Sequence, residues 1–150
     1  MKLIAHRGLI NGPDRSIENA PAQIMRSLSM GFECEVDLRI ENDEFYLGHD
    51  GPEYHTTESF LRKPGLWIHA KNLNALNWLT TTDLNYFWHQ EDDFVVTSYK
   101  QIWTYPGKEL TPNSVAVMPE WNDPNFENIP TNCFGICSDY VLQISNILKG

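Results

Sequence analysis

An α/β fold, built as a reduced TIM-type (β/α) barrel with several outer helices missing, is what this 150-residue chain predicts. Three observations carry that expectation. Short apolar runs recur along the whole chain, from Leu3-Ile4-Ala5 to Phe134-Gly135-Ile136-Cys137. Few of the segments between them show the three-and-four spacing of an amphipathic helix. A charged or imidazole side chain stands just past one run after another, where parallel α/β architectures gather their working residues. A full eight-fold barrel takes about 250 residues, so a barrel of this length must have given up helices.

The elements follow in order. Lys2-Leu3-Ile4-Ala5 is a first strand that runs into His6-Arg7-Gly8, where Gly8 permits a sharp turn. Asn11-Gly12-Pro13-Asp14 is loop material. A helix follows, with Ser16 as N-cap or Pro21 in its first turn; Ala22, Met25, Leu28 and Ile24 carry the helical spacing and Gly31 closes it. Strand, helix and strand within about 38 residues form a βαβ unit with parallel strands. The second strand is Glu33-Cys34-Glu35-Val36-Asp37-Leu38, followed by a turn at Glu41-Asn42-Asp43 and a short return strand at Phe45-Tyr46-Leu47. Leu66-Trp67-Ile68 is a further strand, and residues 73–79 read as a helix. Tyr86-Phe87-Trp88, Phe94-Val95-Val96, Val115-Ala116-Val117-Met118 and Phe134-Gly135-Ile136-Cys137 are four more strands, and an amphipathic helix over 141–148 closes the chain. Residues 98–114 and 119–133 carry Pro, Gly, Asn and aromatics, so loops or extended segments stand there in place of helices.

Length and composition set bounds. One domain, residues 1–150, is expected, and a chain this long buries roughly two-thirds of its unfolded surface. A formal charge of −9 argues against a nucleic-acid or anionic-membrane surface, each of which needs a basic patch. No apolar run approaches membrane-spanning length, and no signal-peptide pattern is visible. Three cysteines are an odd count for a disulfide framework, and Cys133 and Cys137 fit neither a CxxC site nor a zinc pair. Free thiols in a reducing cytoplasm are the expectation.

The acidic strand is the unusual element. Alternation puts Glu33, Glu35 and Asp37 on one face and Cys34, Val36 and Leu38 on the other. Carboxylates crowded on one strand face repel one another. Either the strand is a solvated edge, or a hard cation compensates the charge. Other polar groups end other strands: His6 and Arg7 after the first, His49 after the return strand, His69 and Lys71 after the next, then His89, Glu120 and Asp139.

With these residues in hand the chain resembles a known family. His6-Arg7-Gly8, then Glu18-Asn19-Ala20, Glu35-Val36-Asp37 and Gly48-His49-Asp50 are similar, in order and spacing, to the motifs of the glycerophosphodiester phosphodiesterases. The likeness is strong over the first 50 residues and loose beyond them. That family belongs to the phospholipase-C-like phosphodiesterases, magnesium- or calcium-dependent hydrolases on a TIM-type barrel. The resemblance implies His6 and His49 as the acid/base pair and Glu35 and Asp37 as metal ligands, with His69 as the third. It implies Arg7 and Lys71 as phosphate contacts; Glu120, by its place after a later strand, is a candidate substrate-binding residue of the pocket, and Glu18 either orients Arg7 or is an exposed residue of the helix's first turn. Where the family carries a Glu, this chain carries His69. An imidazole in an oxygen site shifts preference towards manganese or zinc, or weakens the site altogether. Glu33, one pair deeper on the strand, reads as a group of the barrel interior.

The implied reaction is hydrolysis of a small glycerophosphodiester-like or sugar-linked phosphodiester. Such cleavage needs an oxygen activated, a leaving oxygen protonated and phosphoryl charge neutralised. The second hypothesis is a related phosphoester lyase that uses the same two histidines and releases a cyclic phosphate; the third is a degenerate, non-catalytic barrel that binds a phosphorylated ligand or a protein partner. Of the aromatics in the second half, including Trp88, Tyr99, Trp103, Tyr105 and Trp121, most are expected in the core and some against a sugar or glycerol moiety. Exposed strand edges in a trimmed barrel allow a homo-oligomer.

Overall fold

Strand β1 (Lys2–Ala5) passes directly into a 3₁₀ turn at His6–Gly8. The computed structural model describes all residues from Met1 to Gly150. Arg7 and Gly8 both have positive φ, 52° and 78°, so the chain reverses sharply and leaves the Gly8 carbonyl pointing away from the sheet. Helix α1 (Pro21–Ser29) begins with Pro21 in its first turn, not with Ser16 as its cap. Its buried face also differs from the spacing read in sequence: Gln23, Ile24 and Ser27 are buried, while Met25 and Ala22 are exposed. The Gly8 carbonyl is the reason. Gln23 Nε2 and Ser27 Oγ both donate to it, drawing two polar side chains to the inner face.

Strand β2 (Glu33–Glu41) runs three residues past the expected end. A two-residue turn at Asn42 and Asp43, with φ of 51° and 62°, reverses it into β3 (Glu44–Leu47). Next come β4 (Tyr54–His55), the one-turn helix α2 (Glu58–Leu61), β5 (Leu66–Ala70) and α3 (Leu73–Leu79). Thr57 and Asn72 cap the two helices with their side-chain oxygens. The second half contributes β6 (Tyr86–Phe87), β7 (Phe94–Val96), β8 (Ile102–Thr104) and β9 (Ser114–Val117). A 3₁₀ turn at Pro119–Trp121, β10 (Gly135–Ser138) and α4 (Val141–Lys149) complete it. Strand β8 lies inside a stretch expected to be loop or extended chain; its three residues are too few to show a period.

All ten strands join one sheet. Its parallel path runs β8-β9-β10-β1-β2-β5-β6, with β3 and β4 antiparallel beyond the end of β1 and β7 antiparallel on β8. The sheet curls. Trp67 on β5 and Trp103 on β8 are five strand spacings apart along the path, about 24 Å in a flat sheet at the usual spacing. Their ring centroids lie 5.9 Å apart. The two free ends are tied by the segment before β8, where Ser98 N donates to the Tyr86 carbonyl and Tyr86 N donates to Ser98 Oγ, both at 2.8 Å.

The period of two in β2 decides which side is which. Cys34, Val36, Leu38 and Ile40 pack outward in the main core with Ile24, Ala75 and Leu79. Glu33, Glu35 and Asp37 point into the concave side, which is otherwise filled by Ile4, Trp67, Phe87, Trp103, Val115 and Cys137. Register brings the strand ends to one rim: Ala5 pairs with Cys34 and Ser138, and Asp37 pairs with His69. His6, Glu35 and Asp139 therefore follow side by side. Outside β9 and β10, loop residues Phe126, Ile129 and Leu110 pack together with Ile144 of α4 on Ala116 and Ile136. All three thiols are unpaired, and no helix is long and apolar enough to cross a membrane.

Candidate active site

Asp37 is fully buried at the concave rim, held by a reciprocal pair with Asn19. Asn19 Nδ2 donates to Asp37 Oδ2 and Asp37 N donates to Asn19 Oδ1, each at 2.9 Å. Asn19 reaches it from a left-handed backbone conformation, φ 62°, which Asn tolerates better than most residues. Arg7 Nε lies 3.2 Å from Asp37 Oδ2, and Arg7 N donates to Glu35 Oε2 at 3.1 Å. Burial alone would raise the Asp37 carboxyl, but the rings of His49 and His69 and the charge of Arg7 hold it well below its usual range.

His69 completes the cluster. Its Nδ1 lies 3.3 Å from Asp37 Oδ1 and 3.6 Å from Glu35 Oε1, while its Nε2 donates to the His89 carbonyl at 3.0 Å. Burial opposes charge on this ring, yet bonding to Asp37 and Glu35 overrides it and takes the imidazole up to about 9. Ligand atoms from Glu35, Asp37 and His69 all lie within 4.8 Å of one another. Asp37 Oδ1 is buried with no aligned donor, and the far nitrogen of His69 is fixed on a backbone carbonyl, as metal-bound histidines commonly are. Two carboxylates, one imidazole and one orphaned oxygen suit a divalent cation.

Two further histidines flank the cluster in complementary states. His6 Nδ1 sits 2.7 Å from Asp139 Oδ1, which fixes the ring proton on that side and leaves Nε2, 4.0 Å from Glu35 Oε2, as the free nitrogen. Burial lowers the His6 pKa, but the Asp139 bond and the Glu35 and Asp139 charges outweigh it and leave it raised. His49 is the reverse case. Arg7 NH2, which can only donate, is 2.8 Å from His49 Nδ1, and Asp37 Oδ2 lies 3.5 Å from the same nitrogen, so a neutral ring accepts from Arg7 and carries its proton on Nε2, while a charged ring has Asp37 as its acceptor. Arg39 fixes the backbone of the same loop, donating from Nε to the Gly48 carbonyl at 3.1 Å and from NH2 to the His49 carbonyl at 2.6 Å.

These groups open onto one pocket of about 350 Å³, near the lower end of the usual range of about 300–1,000 Å³ for small-molecule sites. His6, Arg7, Glu35, His49, His69 and Lys71 all line it. The Arg7 guanidinium is engaged by Glu18 at 3.1 Å, by His49 and by Asp37. Lys71 is in no ion pair and is the freer cation. Glu120 is not on the pocket wall: its Oε1 accepts from Ser138 Oγ at 2.8 Å and Asp139 N at 3.0 Å, and burial raises its pKa. Glu33 faces the opposite end of the strands, where it meets Lys2 at 2.6 Å and the Trp67 indole N–H at 2.7 Å.

Asn19 had no signal beyond its place in the Glu18-Asn19-Ala20 motif, and nothing in the sequence pointed to the Asp139 bond to His6. Only the alternation of β2, continued two residues past Asp37, and the position of Asp139 after the last apolar run marked Arg39 and Asp139. Comparison of the chain with protein-family models, with curated proteins and with solved structures finds no match.

Proposed function

We propose that the chain is a metal-dependent phosphodiesterase acting on a small phosphodiester, glycerophosphodiester-like or sugar-linked, and that its curled sheet is a reduced TIM-type barrel. One observation carries this reading: two histidines, His6 held at Nδ1 by a carboxylate and His49 by a guanidinium, border the Glu35, Asp37 and His69 cluster and line one pocket. His6, with Nε2 free, is the base that takes the proton from the attacking oxygen, which is either a water or a neighbouring hydroxyl of the substrate. His49 in its charged form, with Asp37 Oδ2 3.5 Å from Nδ1 as acceptor, is the acid that gives the Nε2 proton to the leaving oxygen and returns to the neutral ring. Asp139 keeps the His6 proton on Nδ1 and stabilises the ring once it is charged. Arg7 holds His49 in its tautomer, and Lys71 meets a phosphoryl oxygen as a point charge. Glu35, Asp37 and His69 would hold the cation: magnesium or calcium by family resemblance, with manganese or zinc favoured by the imidazole. Such an ion neutralises charge on the phosphoryl oxygens.

Hydrolysis of an aryl phosphodiester by the purified chain tests this. Activity dependent on magnesium, manganese or zinc, removed by chelation and abolished separately by His6→Ala and His49→Ala, is the expected result. Turnover that survives both substitutions overturns the assignment.

A second reading has its own observation. With its pKa near 9, the His69 ring carries a proton at neutral pH and already pairs with both carboxylates. A barrel whose own imidazolium replaces the metal would bind a phosphorylated ligand without cleaving it. Calorimetric titration with manganese and zinc separates the two: no uptake, together with retained phosphate binding, selects the second.

A further inference from the structure

The pocket has two ends of opposite chemistry. His6, His49, Lys71 and the carboxylate cluster form one; Tyr105, Pro106, Met118 and Trp121 form the other. A line of rings joins them. Centroids step 6.5 Å from His69 to His89, 6.2 Å from His89 to Tyr105 and 6.5 Å from Tyr105 to Trp121, the last pair edge to face at 79°. Phe87 and Trp103 beneath this line are packed into the barrel interior, but Trp121 is 62% exposed and Tyr105 40%. Large rings with open faces on a pocket rim lack a packing reason to be there.

Trp121 is also held firmly. It ends the 3₁₀ turn Pro119–Trp121, whose middle residue is the buried Glu120 bonded to Ser138 and to the backbone of Asp139. The carboxylate behind the turn ties the exposed ring to the same strand end that carries the partner of His6. Glu35 is the only carboxylate lining the pocket and belongs to the charged end, so the wall beside Trp121 carries no charge. Gln90 and the His89 ring lie between the two ends and offer hydrogen bonds to hydroxyls.

We propose, resting on the phosphodiesterase reading, that one alcohol of the substrate is a neutral ring polyol, a sugar or cyclitol, seated on Trp121 and Tyr105. An apolar C–H face of such a ring lies on the electron-rich indole, its hydroxyls reach Gln90 and His89, and its phosphate falls at the charged end.

Calorimetry on the full chain in magnesium buffer, with inositol 1-phosphate, glucose 1-phosphate and glycerol 3-phosphate as probes, tests the inference without relying on turnover. Both ring phosphates are expected to bind at least about tenfold more tightly than glycerol 3-phosphate, a difference of about 1.4 kcal/mol. Trp121→Ala should erase that preference and Trp121→Phe should restore part of it. Equal affinities for the three probes, or a preference that survives Trp121→Ala combined with Tyr105→Ala, would overturn the ring-polyol assignment while leaving the phosphodiesterase reading intact. Binding of none of the three overturns both.

Discussion

The two halves of the sheet are built by different means. From β1 to α3, strands alternate with helices, and the outward faces of β2 and β5 are sealed by Ile24, Ala75 and Leu79, all fully buried. From β6 to β10 no α-helix intervenes; loops cover β9, loops and α4 cover β10, and β7 leaves Phe94 51% and Val96 67% exposed. The charged chemistry sits almost entirely on the first half and the open aromatic platform on the second. On the proposed phosphodiesterase reading the difference is a division of labour: the charged groups sit on helix-backed strands, while the shape of the alcohol side is left to loops that can vary without disturbing them.

The largest test of that division is catalytic. His6→Ala and His49→Ala should each lower phosphodiester hydrolysis by about 10²–10⁴-fold with the circular dichroism spectrum unchanged. Tyr105→Ala should act mainly on KM. Equal losses of kcat from both halves would break the comparison.

Gly48→Ala comes next. A Cβ there would collide with the Gly51 carbonyl oxygen, so the loop bearing His49 must shift. Displacement of a catalytic group by about 1 Å costs about a hundredfold, and steady-state kinetics should show that loss.

Stability should divide along the same line. Ile24→Ala empties a fully buried site and should cost about 2–5 kcal/mol by urea unfolding. Val96→Thr, on the uncovered edge strand, should change stability by less than about 0.5 kcal/mol. A large effect at Val96 would mean that a second copy or a partner covers that edge.

The pH dependence follows from His69. Its folded pKa, about 9, lies above the ordinary 6.5, so the folded state binds the proton more tightly. The resulting stabilisation, on the order of 3 kcal/mol in metal-free protein, is complete below 6.5 and lost as pH rises through 9. Urea midpoints in chelator should therefore fall between pH 6 and pH 9.5, and His69→Gln should remove most of that slope. The same proton competes with a cation for Nδ1, so metal uptake should strengthen over this range as pH rises.

Much of the first half was legible in the sequence because its signals are local. Alternation in β2 placed Glu35 and Asp37 on the face opposite Cys34 and Val36, and strand ends marked His6, His49, His69 and Lys71. Where non-local partners decided, the reading went astray. The spacing in α1 pointed to Met25 and Ala22, yet the Gly8 carbonyl, fixed by the turn at Arg7, turned Gln23 and Ser27 inward. Strand β8 escaped because three residues flanked by Pro and Gly carry no period, and only its place between β7 and β9 makes it a strand.

By itself the sequence determined the mixed α/β class, the order of most strands and the side chains able to do chemistry, because all of these depend on neighbours within a few residues. The tertiary structure alone decided which of those side chains meet. Curling the sheet brought Asp139 to His6 across 133 positions, set Arg7 between Glu18, Asp37 and His49, and moved Glu120 from the pocket to the back of the turn that carries Trp121. Hydrogen-bond geometry between distant strands, which no local pattern encodes, assigned the two histidines their opposite tautomers. The acidic strand became a candidate metal centre because His69 arrived beside it from a parallel neighbour and left one buried oxygen of Asp37 without a donor.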